Sequence, residues 1–226
     1  MELLEYHFSK LSGNLYHDDD TYSMFSYKGK GMHLNYLTFK KLFNEMNEKK
    51  DLKILETGIA SAGTNSTYLF NEYIRKYGGQ LWSVDINHEL VDMHKGNMCH
   101  GTTLVCDDSV HFLDEWVKLN PNTQADVVYL DSWDLDWYNP CPAAKHGLNE
   151  YIAVLPALKQ NSLLLIDDTP SSPYWLDTRN QLYDDMIVYY NNHQCLPGKG
   201  QYVINEKKNA NMLLHNYQIL YQFYEC

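Results

Sequence analysis

Two short apolar runs that both end in acid constrain this chain more than anything else in it. Asp126-Val127-Val128-Tyr129-Leu130-Asp131 and Ser162-Leu163-Leu164-Leu165-Ile166-Asp167-Asp168 are rich in Val, Ile and Leu and too short to be helices of their own. Each reads as a strand buried on both faces of a parallel sheet. In an open α/β sheet, ligands bind in the crevice outside the carboxyl ends of the strands. Acids that close successive strands therefore converge on one point, and the combination Asp131, Asp167 and Asp168 suits a hard divalent cation.

The flanking sequence repeats the strand and helix alternation. Lys53 to Gly58, Gln80 to Ile86 and Thr102 to Cys106 read as strands. Helices are expected over the Ala62 to Tyr77 region, from near His88, over Ser109 to Leu119, from about Ala144 to Lys159, and around Trp175 to Asn191. In the Ser109 helix, Val110, Leu113, Trp116 and Val117 fall at helical spacing. Gln201 to Ile204 and Tyr217 to Phe223 read as an antiparallel edge pair. The expected architecture is α/β: a Rossmann-like, seven-stranded, mainly parallel sheet with an antiparallel edge strand and helices on both faces. Residues 1–226 form one domain in this reading, with an N-terminal lid or helical segment over 1–50 and the core over 51–226.

Charge narrows the partners. The 18 basic residues against 29 acidic ones give a formal net charge of −11, with no Lys or Arg run to offset it, so nucleic acid and anionic membranes are not expected partners. Five widely spaced cysteines without a C-x-x-C pair read as reduced thiols of a cytosolic compartment. The start lacks a basic and then apolar leader, and no apolar run approaches the roughly 20 residues that span a bilayer, so an intracellular, unanchored protein is expected. Association into a homo-oligomer stays open.

Further signals sit at the other strand ends. The first strand runs into Glu56-Thr57-Gly58-Ile59-Ala60-Ser61-Ala62-Gly63-Thr64-Asn65-Ser66, where small residues let a ligand approach the backbone and the helix start offers unpaired N–H groups. Its G-x-x-x-x-G spacing is neither the G-x-G-x-x-G of dinucleotide enzymes nor a P-loop, and a plain tight turn is an equal alternative. Asp85 closes the second strand and can accept two hydrogen bonds from a ribose diol. Asp108 and Ser109 follow the third, where they can meet an adenine edge or simply cap the next helix. The ten histidines include no H-x-x-x-H pair, and Cys99-His100 has no partner at zinc spacing. His146 and Glu150, four apart on one helix face, either border a pocket or are merely exposed.

In this order, Glu56-x-Gly58, Asp85, Asp108-Ser109, Asp131 and Asp167-Asp168, the chain resembles class I S-adenosylmethionine-dependent methyltransferases of the metal-dependent O-methyltransferase type. Leu130-Asp131-Ser132-Trp133-Asp134 is similar to a segment of catechol O-methyltransferase. Leu164-Leu165-Ile166-Asp167-Asp168 resembles the macrolide-sugar O-methyltransferases, and the helix from Leu148 through Leu155-Pro156-Ala157-Leu158 resembles the L-P-x-L helix of both groups. The similarity covers roughly Leu52 to Thr169. It also includes a short echo of a cofactor-covering segment at Met24 and Lys30-Gly31.

The resemblance implies S-adenosylmethionine held by Glu56, Gly58, Gly63, Ser66, Asp85, Asp108, Ser109 and Asp131. It also implies Mg²⁺ or Mn²⁺ at Asp131, Asp167 and Asp168, and a small-molecule or glycan acceptor. Methyl transfer from a sulfonium is an in-line displacement that requires an activated, oriented hydroxyl. Asp131, with Asp134 as second choice, is the expected base. The chain departs from the catechol enzymes by carrying Asp134 where they carry a lysine, which favours a sugar or glycan hydroxyl over a phenol or catechol. The alternatives are a small phenolic diol, a non-catalytic S-adenosylmethionine-binding module, and a nicotinamide oxidoreductase, the last disfavoured by the glycine spacing.

Overall fold

The acid-tipped runs become the middle of a seven-stranded sheet. The computed structural model describes residues 2–11, 15–16, 26–27, 30–59, 63–172, 181–193 and 197–224. In chain order the elements begin with helix α1 (Glu2–Ser9) and three short strands, β1 (Leu15–Tyr16), β2 (Ser26–Tyr27) and β3 (Lys30–His33). Helix α2 (Tyr36–Met46) follows. The βα repetition then runs β4 (Lys53–Thr57), α3 (Ser66–Tyr77), β5 (Gln80–Asp85), α4 (His88–Lys95), β6 (Thr102–Cys106), α5 (Ser109–Leu119), β7 (Val127–Leu130) and α6 (Cys141–Val154). A 3₁₀ turn (Leu155–Ala157), β8 (Leu163–Ile166), α7 (Gln181–His193), α8 (Gln201–Glu206), β9 (Ala210–His215) and β10 (Ile219–Phe223) complete it.

The large sheet has the order β6-β5-β4-β7-β8-β10-β9, and a separate three-stranded sheet has the order β1-β3-β2. Strands β4 through β8 pair in parallel, whereas β10 runs antiparallel to both β8 and β9 and lies between them. All four residues of β7 and of β8 are buried, which is why their sequences lack polar alternation.

Successive residues of those strands serve opposite faces. Ile54, Val127, Tyr129, Leu163 and Leu165 join Leu4, Phe8, Phe39, Leu42, Phe43, Leu69 and Phe70 under α1, α2 and α3. Leu55, Val128, Leu130, Leu164 and Ile166 join Phe112, Trp116, Tyr151, Val154 and Val203 under α5, α6 and α8. Apolar side chains of α1 and α2 are thus part of the main core. No helix among the described residues is long and apolar enough to cross a membrane.

One sequence expectation is corrected. Gln201 to Ile204 is not a strand but the start of α8, and the partner of β10 is Ala210–His215. Only Val203 is buried there, beneath α6, and Gly200 precedes the helix. A four-residue apolar run does not distinguish strand from helix. Residues of the expected Ala62 and Trp175 helix starts, Met24, Cys195 and Cys226 lie outside the described residues.

Candidate active site

The chain fills β4, β5 and β6 on one side and then crosses back to place β7 beside β4. That reversal opens a crevice at the strand ends. A cavity of about 720 Å³ lies there, and its wall includes Gly58, Asp85, Asp108, Ser109, Asp131, Asp134, Asp167 and Asp168. Eight of the residues singled out in the sequence thus share one space. A second cavity, about 110 Å³, reaches the same three aspartates from the side of His33, Asn35, Gly63 and Thr64.

Gly58 brings β4 and β7 together. It has φ +85°, and a Cβ there would sit 2.6 Å from the Asp131 carbonyl oxygen. Its N–H donates to the Val84 carbonyl at 2.8 Å, while Asp131 N–H donates to the Thr57 carbonyl at 3.0 Å. Asp85 accepts from the Ile59 N–H at 3.0 Å and the Asn87 N–H at 2.8 Å, so it fixes both loops that flank the cavity. Asp108 caps α5 through the His111 N–H at 3.0 Å, the capping role considered in the sequence, and still reaches the cavity wall. Ser109 meets His146 Nε2 at 2.8 Å, and Ser132 donates to Glu150 at 2.6 Å. Glu150 is therefore buried and His146 partly buried beside the cavity rather than exposed, and hydrogen bonding to Glu150 raises the His146 pKa.

Glu56 and Ser66 are placed differently. Neither lines the cavity: the Glu56 carboxylate, wholly buried, accepts from Ser66 at 2.6 Å, Thr67 at 2.7 Å and Ser83 at 2.6 Å. It ties the start of α3 to β4 and β5 from beneath. Burial pushes its pKa from 4.5 up to about 7, against the lowering effect of the three hydroxyls. A folded-state pKa above the unfolded one means stability is fullest below about pH 4.5 and falls as pH rises to about 7. We expect wild type to lose about 3 kcal/mol relative to Glu56→Gln between those limits, read by urea unfolding at both pH values. Parallel pH dependence of the two proteins would refute it.

The three strand-end aspartates approach closely, each offering an oxygen within 4.8 Å of the others. Neutral donors hold one oxygen of each. The Tyr129 hydroxyl donates to Asp131 Oδ2 at 3.0 Å, Gln218 to Asp167 Oδ1 at 2.8 Å, and the Tyr217 hydroxyl to Asp168 Oδ1 at 2.5 Å. Burial, then the Asp131 charge, pushes Asp167 up to about 7. Burial also raises Asp131 and Asp168, opposed by a cation that the sequence reading did not assign.

That cation is Lys199. Its Nζ lies 2.8 Å from Asp131 Oδ1 and 3.1 Å from Asp168 Oδ2, with a side chain only 5% exposed. Burial disfavours its charge, but the surrounding carboxylates outweigh this and hold its pKa well above the ordinary value. The lysine missing after Asp131 is thus supplied from 68 residues downstream. Its sequence signal was the pair of glycines in Pro197-Gly198-Lys199-Gly200: a Cβ on Gly198 would meet the Asp168 carbonyl oxygen at 2.5 Å.

A divalent ion does not fit these donors as they stand. Mg²⁺ needs oxygens at about 2.1 Å, and the inward oxygens of Asp131 and Asp168 already converge on an ammonium.

Trp133 and Asp168 adopt left-handed backbone, φ 55° and 41°, just past β7 and β8. Non-glycine residues in this region store strain, which clusters at functional sites. Trp133 is 56% exposed, with its ring centroid 5.2 Å from that of His146, and Asp134 is exposed at the rim.

No protein-family model and no curated protein matches this sequence. Among solved structures, the CurJ carbon methyltransferase superposes with TM-score 0.51 and 15% identity, covering 85% of this chain and 54% of that one. CalS11, a calicheamicin methyltransferase, gives 0.46 and 13%, covering 84% and 78%. A point mutant of MtNAS in complex with S-adenosylmethionine gives 0.48 and 11%, covering 100% and 73%. The first of these likenesses, together with the strand order, shows that the chain has a Rossmann-like methyltransferase fold.

Proposed function

We propose that this protein is an S-adenosylmethionine-dependent O-methyltransferase whose acceptor is a hydroxyl of a sugar or glycan. The observation that carries the reading is the single cavity shared by the Gly58 turn, Asp85, Asp108, Ser109 and the three aspartates. Asp85 sits to take the ribose, and Asp108 with Ser109 to take the base. S-adenosylmethionine supplies a methyl group on a sulfonium: the C–S bond breaks as the C–O bond forms. The chain must hold that carbon and the acceptor oxygen in line. Asp131, at the junction of the two cavities, receives the hydroxyl proton, and Lys199 and Tyr129 fix its carboxylate orientation. The exposed Trp133 and Tyr138, after β7, offer flat amphipathic faces suited to a sugar ring.

One observation supports a second reading. Lys199 restores a lysine to the carboxylates, so the absence of a lysine just after Asp131 no longer weighs against a phenolic or catechol acceptor. The strongly acidic chain remains unsuited to nucleic acid or anionic membrane. A panel of sugars and catechols assayed by radiolabelled methyl transfer separates the two readings.

Calorimetry tests the cofactor assignment. Asp85→Ala is expected to weaken S-adenosylmethionine binding by about 2 to 3 kcal/mol, the loss of hydrogen bonds to a charged acceptor. Unchanged affinity refutes the ribose role, a tight NAD complex favours an oxidoreductase, and binding without transfer to any acceptor favours a non-catalytic module.

A further inference from the structure

We infer that the Lys199 ammonium is the resident cation of the Asp131, Asp167 and Asp168 cluster, so that the cluster works without a divalent metal. Three carboxylates within 4.8 Å of one another repel unless a cation or a proton lies among them. Here the chain supplies the cation.

The geometry is that of a filled site. An ammonium has three N–H donors, and Lys199 Nζ has three acceptors: Asp131 Oδ1 at 2.8 Å, Asp168 Oδ2 at 3.1 Å and the Asp131 carbonyl oxygen at 3.4 Å. Tyr129 and Tyr217 hold the outer oxygens of Asp131 and Asp168, which turns the inner ones toward the same nitrogen. An ion bridging those inner oxygens at about 2.1 Å would collide with Nζ.

Lys199 is also held from leaving. Its N–H donates to the Asp168 carbonyl at 3.1 Å, and the next residue, Gly200, donates to Thr169 Oγ1 at 2.9 Å. The Lys199 carbonyl packs onto α6 at Gly147, where a Cβ would come within 2.5 Å of it. Swinging the side chain aside for a metal would strand an ammonium that is now 5% exposed and paired. The backbone around it is fitted to one position.

Metal binding, read directly, tests this without reference to any acceptor, so failure of the methyl-transfer reading leaves the test intact. Mn²⁺ is titrated into the full chain and followed by electron paramagnetic resonance, with thermal melting in parallel. Wild type is expected to bind no Mn²⁺ at the cluster and to show no melting shift with Mn²⁺ or Mg²⁺. Lys199→Ala, which empties the position, is expected to gain one Mn²⁺ and to lose it again in the Lys199→Ala, Asp167→Asn double variant. Stoichiometric Mn²⁺ binding by wild type that disappears in Asp167→Asn overturns the inference. So does a folded Lys199→Ala protein that binds no Mn²⁺, since then the lysine is not what occupies an ion's place. If Lys199→Ala does not fold, the wild-type titration decides alone.

Discussion

Asp131→Asn is expected to lower methyl transfer by about 100- to 10,000-fold, the range lost with a positioned proton acceptor, at saturating S-adenosylmethionine. Its effect on the fold should be far smaller, because two electrostatic consequences oppose each other. Lys199 loses its nearer carboxylate, at 2.8 Å, but keeps Asp168 at 3.1 Å. At the same time Asp167, held at about 7 by burial and by the Asp131 charge, is relieved of a like-charged neighbour. Breaking a buried pair outright costs about 3 to 5 kcal/mol, so a partial break with this relief should cost about 1 to 2 kcal/mol. Labelled methyl transfer and urea unfolding of the same preparation check both halves. Activity within a few-fold of wild type would show that Asp131 does not take the acceptor proton, while a fully unfolded variant would show that Asp168 alone cannot hold Lys199.

How much was legible in the sequence follows from where each signal is encoded. The strands from Lys53, Gln80 and Thr102 and the helix from Ser109 to Leu119 are found within a residue or so of where they are expected. Burial on one or both faces writes their pattern locally. The strand-end acids were legible because a parallel sheet turns sequence order into spatial order, and every parallel strand's carboxyl end opens onto the same crevice. That Glu56 meets three hydroxyls rather than the cavity was not legible, because a strand-end acid looks the same in either setting; only the placement of Ser66, Thr67 and Ser83 decides. Lys199 was missed for a related reason. It joins the cluster through a loop beyond α7, and long-range pairing of a lone lysine leaves no periodicity. Strand β9 escaped because Ala210-Asn211-Met212-Leu213-Leu214-His215 contains no β-branched residue, and its partner β10 specifies it through register alone.

Gly58→Ala is expected to damage the fold substantially although it removes no polar group. The residue has φ +85°, where an L side chain costs about 1 to 2 kcal/mol, and the added Cβ would sit 2.6 Å from the Asp131 carbonyl oxygen and 2.9 Å from its carbon. Neither atom can give way easily. Asp131 is pinned through its N–H to the Thr57 carbonyl and through its side chain to Tyr129 and Lys199, so overpacking adds about 1 to 3 kcal/mol. The sum, about 2 to 5 kcal/mol, should lower the melting temperature by roughly 5 to 15 °C for a domain of this size. Whatever strain remains in the folded variant falls on the β4 and β7 ends, where Gly58 and Asp131 both line the large cavity, so S-adenosylmethionine affinity should drop with it. Gly96→Ala is the control: it follows α4 with φ −69°, nothing lies within 4 Å of its Cβ position, and the melting temperature should hold or rise slightly. Equal behaviour of the two variants would mean that the approach of β4 to Asp131 is not what requires glycine.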